Sequence, residues 1–176
     1  IDKAQLDEVY TRRLSMVNEA RCQASVDFFN NNVHRFEQNQ DLIASWSDYG
    51  ESIEEFLSKH VVGRKTALEV GPGYGHFLSS LSHHFQQVVA LDNAQEMLDE
   101  CHLRASNQRL QNIEFIFGNT KCSALKNRLF DFLSLNMVLH HNPNPASIFN
   151  DCAQLLKPLG SLIVTDLCAH DQEWTK

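Results

Sequence analysis

The stretch "ALEVGPGYGHFLSSL", Ala67 to Leu81, places glycines at 71, 73 and 75, three of the seven in a chain of 176 residues. Glycine loses the most backbone freedom on folding, so three at alternate positions need a reason. The run "ALEV" before them reads as a short buried strand, and the apolar series after them reads as a helix. A glycine-rich turn between the two exposes helix N-terminal amides and lets a ligand lie on bare backbone. The dinucleotide fingerprint G-x-G-x-x-G would need glycine at position 76, which is His76, and the phosphate loop G-x-x-x-x-G-K-[ST] is absent. What stands is an E-x-G-x-G-x-G run, Glu69 to Gly75. Alone it is equally consistent with a tight turn and no ligand.

Working outward, from Lys65 onward short apolar runs alternate with helical patterns. Strands are predicted at Thr66–Val70, Val88–Leu91, Ile113–Phe117, Phe130–Asn136 and Ser161–Asp166. Helices are predicted at Gly75–His84, Ala94–Asn107 and Pro145–Leu156, with a weaker one at Cys122–Lys126. Asn144 followed by Pro145 is a helix start, and Lys157-Pro158-Leu159-Gly160 is turn chemistry. This alternation predicts an α/β fold: a Rossmann-like, doubly wound, mainly parallel sheet with helices on both faces. "QVVAL" and "SLIV" are continuously apolar, as strands buried on both faces require.

Residues 1–60 differ in texture and are expected to form a helical N-terminal extension to a core at 61–176. They contain no strand-like run and one glycine, Gly50. Leu6, Val9, Leu14 and Val17 share one helical face, as do Val26, Phe29, Val33 and Phe36. A further helix is expected from the capping pair Ser52 and Glu55, stopped by Gly63. These stripes predict packing, on the core or between partners. Phe28, Phe29, Trp46 and Tyr49 either join that packing or form part of an aromatic lid.

Net charge is −7, which argues against a non-specific hold on nucleic acid by these residues. No apolar run is long enough to span a bilayer, so no membrane partner is expected. Five scattered cysteines without Cys-x-x-Cys fit reduced thiols in a cytoplasmic protein. The histidines at 83–84 and 140–141 are sequence neighbours that diverge in direction, so no metal site is expected.

In a doubly wound sheet, ligands bind beyond the carboxyl ends of the strands where the order reverses. That places polar residues from several strand ends in one cleft: Asp92 with Asn93, Asn119 with Thr120, and Asn136. Asp92 could accept both hydroxyls of a ribose or cap the helix starting near Ala94, and the two roles are compatible. Taken together, "LEVGPGYG", "VVALD", "FIFGN", "FDFLSLNMVLHH" and "LLKPLGSLIV" resemble the class I S-adenosylmethionine-dependent methyltransferases over about residues 50–170. The resemblance implies that Gly71, Gly73 and Gly75 lie against the methionine part of S-adenosylmethionine, with Glu69 beside its positive charge. It also implies that Asp92 binds the ribose. Asn119 stands where the family usually has an aspartate on the adenine amino group; its carbonyl can accept that bond without a charge.

The expected reaction is in-line methyl transfer to a small-molecule acceptor, with alignment as the main contribution of the protein. His140 and His141, just past the fourth strand, are candidate general bases or else a backbone-positioning pair. The first 60 residues and the ending "VTDLCAHDQEWTK" also resemble proteins that fuse an ArsR-type repressor to a methyltransferase. That implies an upstream DNA-binding domain or a homodimer, and leaves a cofactor-binding sensor as the alternative function. The family's sheet has two more strands, so the fifth is expected to be an edge, covered by chain beyond Lys176, by the N-terminal helices or by another chain.

Overall fold

The computed structural model describes residues 8–40 and 45–168, with the side chains of 34–40 left out of the description. Five parallel strands, β1 (Thr66–Val70), β2 (Gln87–Asp92), β3 (Ile113–Phe117), β4 (Phe130–Asn136) and β5 (Leu156–Thr165), form one sheet. Their order is β3-β2-β1-β4-β5. The chain lays strands outward from β1 to β3, then returns to place β4 on the other side of β1. The strand order therefore reverses between β1 and β4.

Alternate residues of the central strands feed two cores. Ala67, Val88, Ala90 and Phe132 face α2 (Trp46–His60) and α3 (Leu78–His84), where Ile53, Leu57, Phe77 and Leu81 are all 1% exposed or less. Leu68, Val89, Leu91, Leu133 and Leu135 face α5 (Pro145–Leu155) through Ile148, Cys152 and Leu155. Each fully buried Leu or Phe of this kind contributes on the order of 1.5–3 kcal/mol. α4 (Gln95–Asn107) packs on the β2–β3 side and carries α1 (Glu8–Gln40) on its outside through Phe29, Val33, Ala94 and Met97.

Several boundaries differ from the sequence reading. α2 starts at Trp46, and its box is Ser45 with Asp48, not Ser52 with Glu55: the Ser45 amide donates to Asp48 Oδ2 at 2.7 Å. The helix ends at His60, ahead of Gly63. Gly63 is glycine for a different reason, since a Cβ there would sit 2.6 Å from Asp131 Oδ1. α3 begins three residues later than predicted, because Gly71, Gly73 and Gly75 all have positive φ, at 67°, 55° and 75°. Two tight turns fill the gap, Gly75 N–H to Pro72 O and Leu78 N–H to Gly75 O. Residues 122–126 form one 3-10 turn, Ser123–Leu125.

The predicted turn at Lys157–Gly160 lies inside β5 as an irregularity. Phe130 pairs with Leu156 but Phe132 pairs with Ser161, and Leu159 takes φ 65°. β5 stands at the edge of the described sheet. The described members of the two N-terminal stripes belong to a single 33-residue helix, α1. Of the second stripe, Val33 is buried and Val26 and Phe29 are half-buried. Of the first, Val9, Leu14 and Val17 remain more than half exposed. Leu6 and the Phe36 side chain fall outside the described residues.

Candidate functional site

The carboxyl ends of β1, β2 and β4 meet where the strand order reverses, and a cleft opens there. Glu69, Gly71, Gly73, Asp92, Asn93, Asn136 and His141 line it.

Glu69 is the anchor at the floor. It is 2% exposed near the carboxyl end of β1, with the Asn136 amide donating to its Oε1 at 3.3 Å. Asn136 in turn accepts from the Thr165 hydroxyl at 2.9 Å, so a polar chain runs across β5, β4 and β1 and fixes the carboxyl. Its other oxygen, Oε2, is buried with no hydrogen-bond partner. Burial pushes the Glu69 carboxyl up to about 8, against the opposing Asn136 hydrogen bond. A buried acceptor without a donor is costly and marks a place that a ligand donor or cation would complete.

The glycines separate into two jobs. Gly71 donates its amide to Leu91 O at 2.8 Å, lines the cleft, and has no room for a side chain, since a Cβ would meet Val138 Cγ2 at 2.7 Å. Gly75 does not line the cleft. A Cβ there would meet Cys101 Sγ at 2.8 Å, so it serves the turn and the packing of α3 on α4. Asp92, at the end of β2, accepts from the Ala94 amide at 2.9 Å, and Ala94 itself is the N-cap of α4. Burial raises its carboxyl to about 6, opposed by the Ala94 and Asn93 amides. Asp92 thus faces the cleft and holds the approach to α4, but it is not the N-cap of that helix.

The two histidines part company. His140 lies outside the cleft, its Nδ1 2.7 Å from Asp166 Oδ1, while Asp166 Oδ2 accepts the Leu139 amide at 2.7 Å. This is the backbone-positioning arrangement. His141 lines the cleft and meets Phe29 of α1 edge-to-face at 4.8 Å. Burial, and then the neighbouring His140, lower His141 to about 4, against the pull of Asp166, so it is neutral near pH 7. Between them and β4, Met137 holds φ 57°, a conformation uncommon for a non-glycine residue and characteristic of functional turns.

Asn119 and Thr120 are not brought into the cleft. Asn119 Oδ1 accepts the Lys121 amide at 2.9 Å, and the Thr120 hydroxyl donates to Asp151 Oδ2 at 2.7 Å. Both are occupied in shaping the loop after β3. Conversely, the wall made by Cys22, Ser25 and Phe29 of α1 and by Trp46 and Tyr49 of α2 had only a faint sequence signal, the aromatic residues among them. α1 is fastened over the cleft by the Tyr74 hydroxyl donating to Val33 O and by Asn30 Oδ1 accepting the Glu96 amide at 3.2 Å. Among the described residues no cluster of three or more His, Cys, Asp or Glu could hold a metal ion, and no helix is long and apolar enough to cross a membrane.

Residues 68–164 match a family described as methyltransferase domain. The chain is 31% identical over 111 residues to a ubiquinone biosynthesis O-methyltransferase of Serratia proteamaculans, covering 62% of this chain and 46% of that protein. It is 30% identical over 111 residues to the protein of the same description from Salmonella paratyphi A, with the same coverage. The chain thus spans about half the length of these curated relatives. Among solved structures it resembles one described as a DhpI-SAM-HEP complex, with TM-score 0.68, 20% identity, and coverage of 87% of this chain and 69% of that one. A SAM-dependent methyltransferase from Aquifex aeolicus gives TM-score 0.65 at 20% identity, covering 82% and 76%. At such identities these structures speak for the fold. With the family match extending over more than half of the chain and a parallel sheet ordered β3-β2-β1-β4-β5, the chain belongs to the methyltransferase-domain family, in its class I, S-adenosylmethionine-dependent branch.

Proposed function

We propose that this chain forms the cofactor-binding core of an enzyme that transfers a methyl group to a small, hydroxyl-bearing acceptor. The observation that carries the reading is the unpartnered Glu69 Oε2 at the floor of a cleft beside the bare backbone of Gly71. This pair fits S-adenosylmethionine. The ammonium and sulfonium of its methionine end supply the positive charge that the carboxylate lacks, and Gly71 leaves room for that end to lie flat. Asp92, one strand away at the same sheet edge, suits the ribose hydroxyls, with Asn93 and Gly73 beside it. Gly75, Asn119 and Thr120 support the loops around the site and make no part of the binding surface in this reading.

When bound, the cofactor supplies a methyl group on a sulfonium, open to in-line attack. The residues of the chain then act on the acceptor. α1 and the β4–α5 loop enclose it through Phe29 and His141, exclude water and orient its oxygen, an alignment worth roughly 7–11 kcal/mol in favourable cases. His141 presents a neutral imidazole, so it accepts a hydrogen bond from the hydroxyl of the acceptor. A base with so low a pKa takes that proton as the new C–O bond forms, when the oxygen becomes strongly acidic. His140 positions the loop through Asp166. The hydroxyl class is supported by the two O-methyltransferase relatives and by the neutral His141. A regulatory role without turnover has no structural feature in its favour.

Titration calorimetry against S-adenosylmethionine, S-adenosylhomocysteine and NAD tests the reading: the first two are expected to bind, and binding of NAD alone overturns it. With a turned-over phenolic or alcoholic acceptor, His141→Gln is expected to lower kcat at least about tenfold while leaving cofactor affinity within about twofold. Unchanged kcat in that variant removes His141 from the proton path.

A further inference from the structure

α1 is 33 residues long, yet only its second half packs on the core, through Phe29, Val33 and their neighbours on α4. A second stripe, about 100–140° around the helix from Phe29 and Val33, carries a different pattern, and its later members Arg21, Ala24 and Phe28 border a groove with His140 to Pro143 of the loop after β4. Tyr10, Leu14, Val17, Arg21, Ala24 and Phe28 follow one another at spacings of four, three, four, three and four. That is a seam of period 3.5, the spacing of a two-helix coiled coil. Tyr10, Leu14, Val17 and Phe28 are 60%, 54%, 55% and 47% exposed, a line of large apolar groups about 27 Å long at 1.5 Å rise per residue.

The seam says which helix it fits. In an antiparallel pair with its own copy, Tyr10 lies opposite the partner's Phe28, Leu14 opposite the partner's Ala24, and Val17 opposite the partner's Arg21. Large meets small in the Leu14 layer, and the Arg21 stem lies along Val17 with its guanidinium at the water. The same register brings the flanking Arg13 opposite the partner's Asp27, and two-fold symmetry repeats that pair at the other end. Asp27 already accepts from Gln23 Nε2 at 2.8 Å through one oxygen, Oδ1, and has a second to offer. A parallel, in-register pair would set Arg21 against the partner's Arg21 in one core layer and give Arg13 no acidic partner. Apolar pattern and charge are both self-complementary only in the antiparallel sense, which is what an isologous two-fold contact requires.

We propose that α1 pairs antiparallel with α1 of a second copy of this chain, through the seam from Tyr10 to Phe28. The seam uses neither Phe29 nor Val33, so the pairing leaves the packing on α4 intact, and at its later end the partner helix enters the groove between Phe28 and Pro143. It also braces the helix that walls the cleft, at Ser25 and Phe29. The inference does not depend on the chemistry proposed for the cleft.

Sedimentation of the full 176-residue chain at concentrations up to about 100 μM, a range in which an interface of modest size shows itself, is expected to give a concentration-dependent dimer. Arg13→Glu and Asp27→Arg each set like charges face to face twice, and each alone is expected to raise the dimer dissociation constant at least about tenfold, with the circular dichroism unchanged. An equimolar mixture of the two variants restores attraction at both ends and is expected to recover the dimer. A wild-type chain that stays monomeric overturns the proposal and leaves the seam to another occupant. So does a dimer that neither variant weakens, or one that the mixture fails to rescue.

Discussion

At the scale of single residues, Glu69 decides most. A carboxyl raised from 4.5 to about 8 by burial makes the folded chain hold a proton that the unfolded chain releases. The sign follows directly: the folded state binds more protons, so stability falls as pH rises from about 4.5 to about 8, by roughly 1.4 kcal/mol per pH unit, and levels off above that. Binding of a cation runs the other way, because only the ionised carboxylate attracts it, so affinity for S-adenosylmethionine should climb with pH and flatten above about 8. Glu69→Gln keeps an acceptor for Asn136 and cannot ionise. Its chain is expected to lose this slope in thermal denaturation between pH 5 and 8, becoming the more stable protein near pH 8, while binding the cofactor at least about tenfold more weakly there. A wild-type affinity independent of pH between 6 and 8 would remove Glu69 as the site of the positive charge. The sequence placed Glu69 beside the turn but could not say that one of its oxygens is left without a donor, since that depends on Asn136, 67 positions later, and on β4 lying next to β1.

At the scale of elements, legibility followed the range of the forces. Strands buried on both faces carry their own signal in apolar runs, and β1 and β4 fall at their predicted bounds, as does the more exposed end strand β3. The start of α5 is local too: Pro145 sits in its first turn, and the Asn144 side chain accepts the Ser147 amide at 3.2 Å. The start of α3 was misplaced because three positive φ angles hold the chain out of the helix, and glycine permits that conformation without announcing it. The sequence reading took Ser52 with Glu55 as the capping pair of α2, and the structure uses Ser45 with Asp48, seven residues earlier. Packing chose the earlier one, since Trp46 and Tyr49 join the core beside Phe77 and extend the helix by two turns. The pairs are separable by experiment. Asp48→Ala removes the partner of the Ser45 amide and is expected to cost about 1 kcal/mol in urea denaturation, whereas Ser52→Ala, within the helix, should stay within about 0.5 kcal/mol. Equal costs would mean that the first two turns of α2 add nothing to the fold.

At the scale of the whole molecule, a doubly wound parallel sheet was readable from the alternation of strands and helices, and in such a sheet the reversal of strand order, here beside β1, locates the cleft. What holds the far end of that sheet together was not readable, because it joins residues from three distant segments. Asp131, at the start of β4, accepts the Thr66 amide at 2.8 Å, the Lys65 amide at 3.1 Å and the Lys157 ammonium at 2.9 Å. It thereby pins β1, β4 and the irregular beginning of the edge strand β5, and Gly63 is kept bare to let its carboxyl sit there. Burial alone would raise this carboxyl; the Lys157 hydrogen bond and charge and the two amides outweigh it and hold the group below its usual value of 3.8. A lowered carboxylate stabilises the fold above the unfolded value, and the contribution disappears as pH falls through the folded one. Asp131→Ala leaves two amides and an ammonium without their acceptor and is expected to cost about 2 kcal/mol at pH 7, with the deficit shrinking as pH falls below the usual carboxylate range. Hydrogen exchange should locate the damage, with the amides of β5 opening ahead of those of β1 and β2. β5 has a neighbour on one side only and depends on the clamp, whereas β1 and β2 lie between two strands each. Uniformly faster exchange across all five strands would instead show that Asp131 supports the sheet as a unit and not its edge.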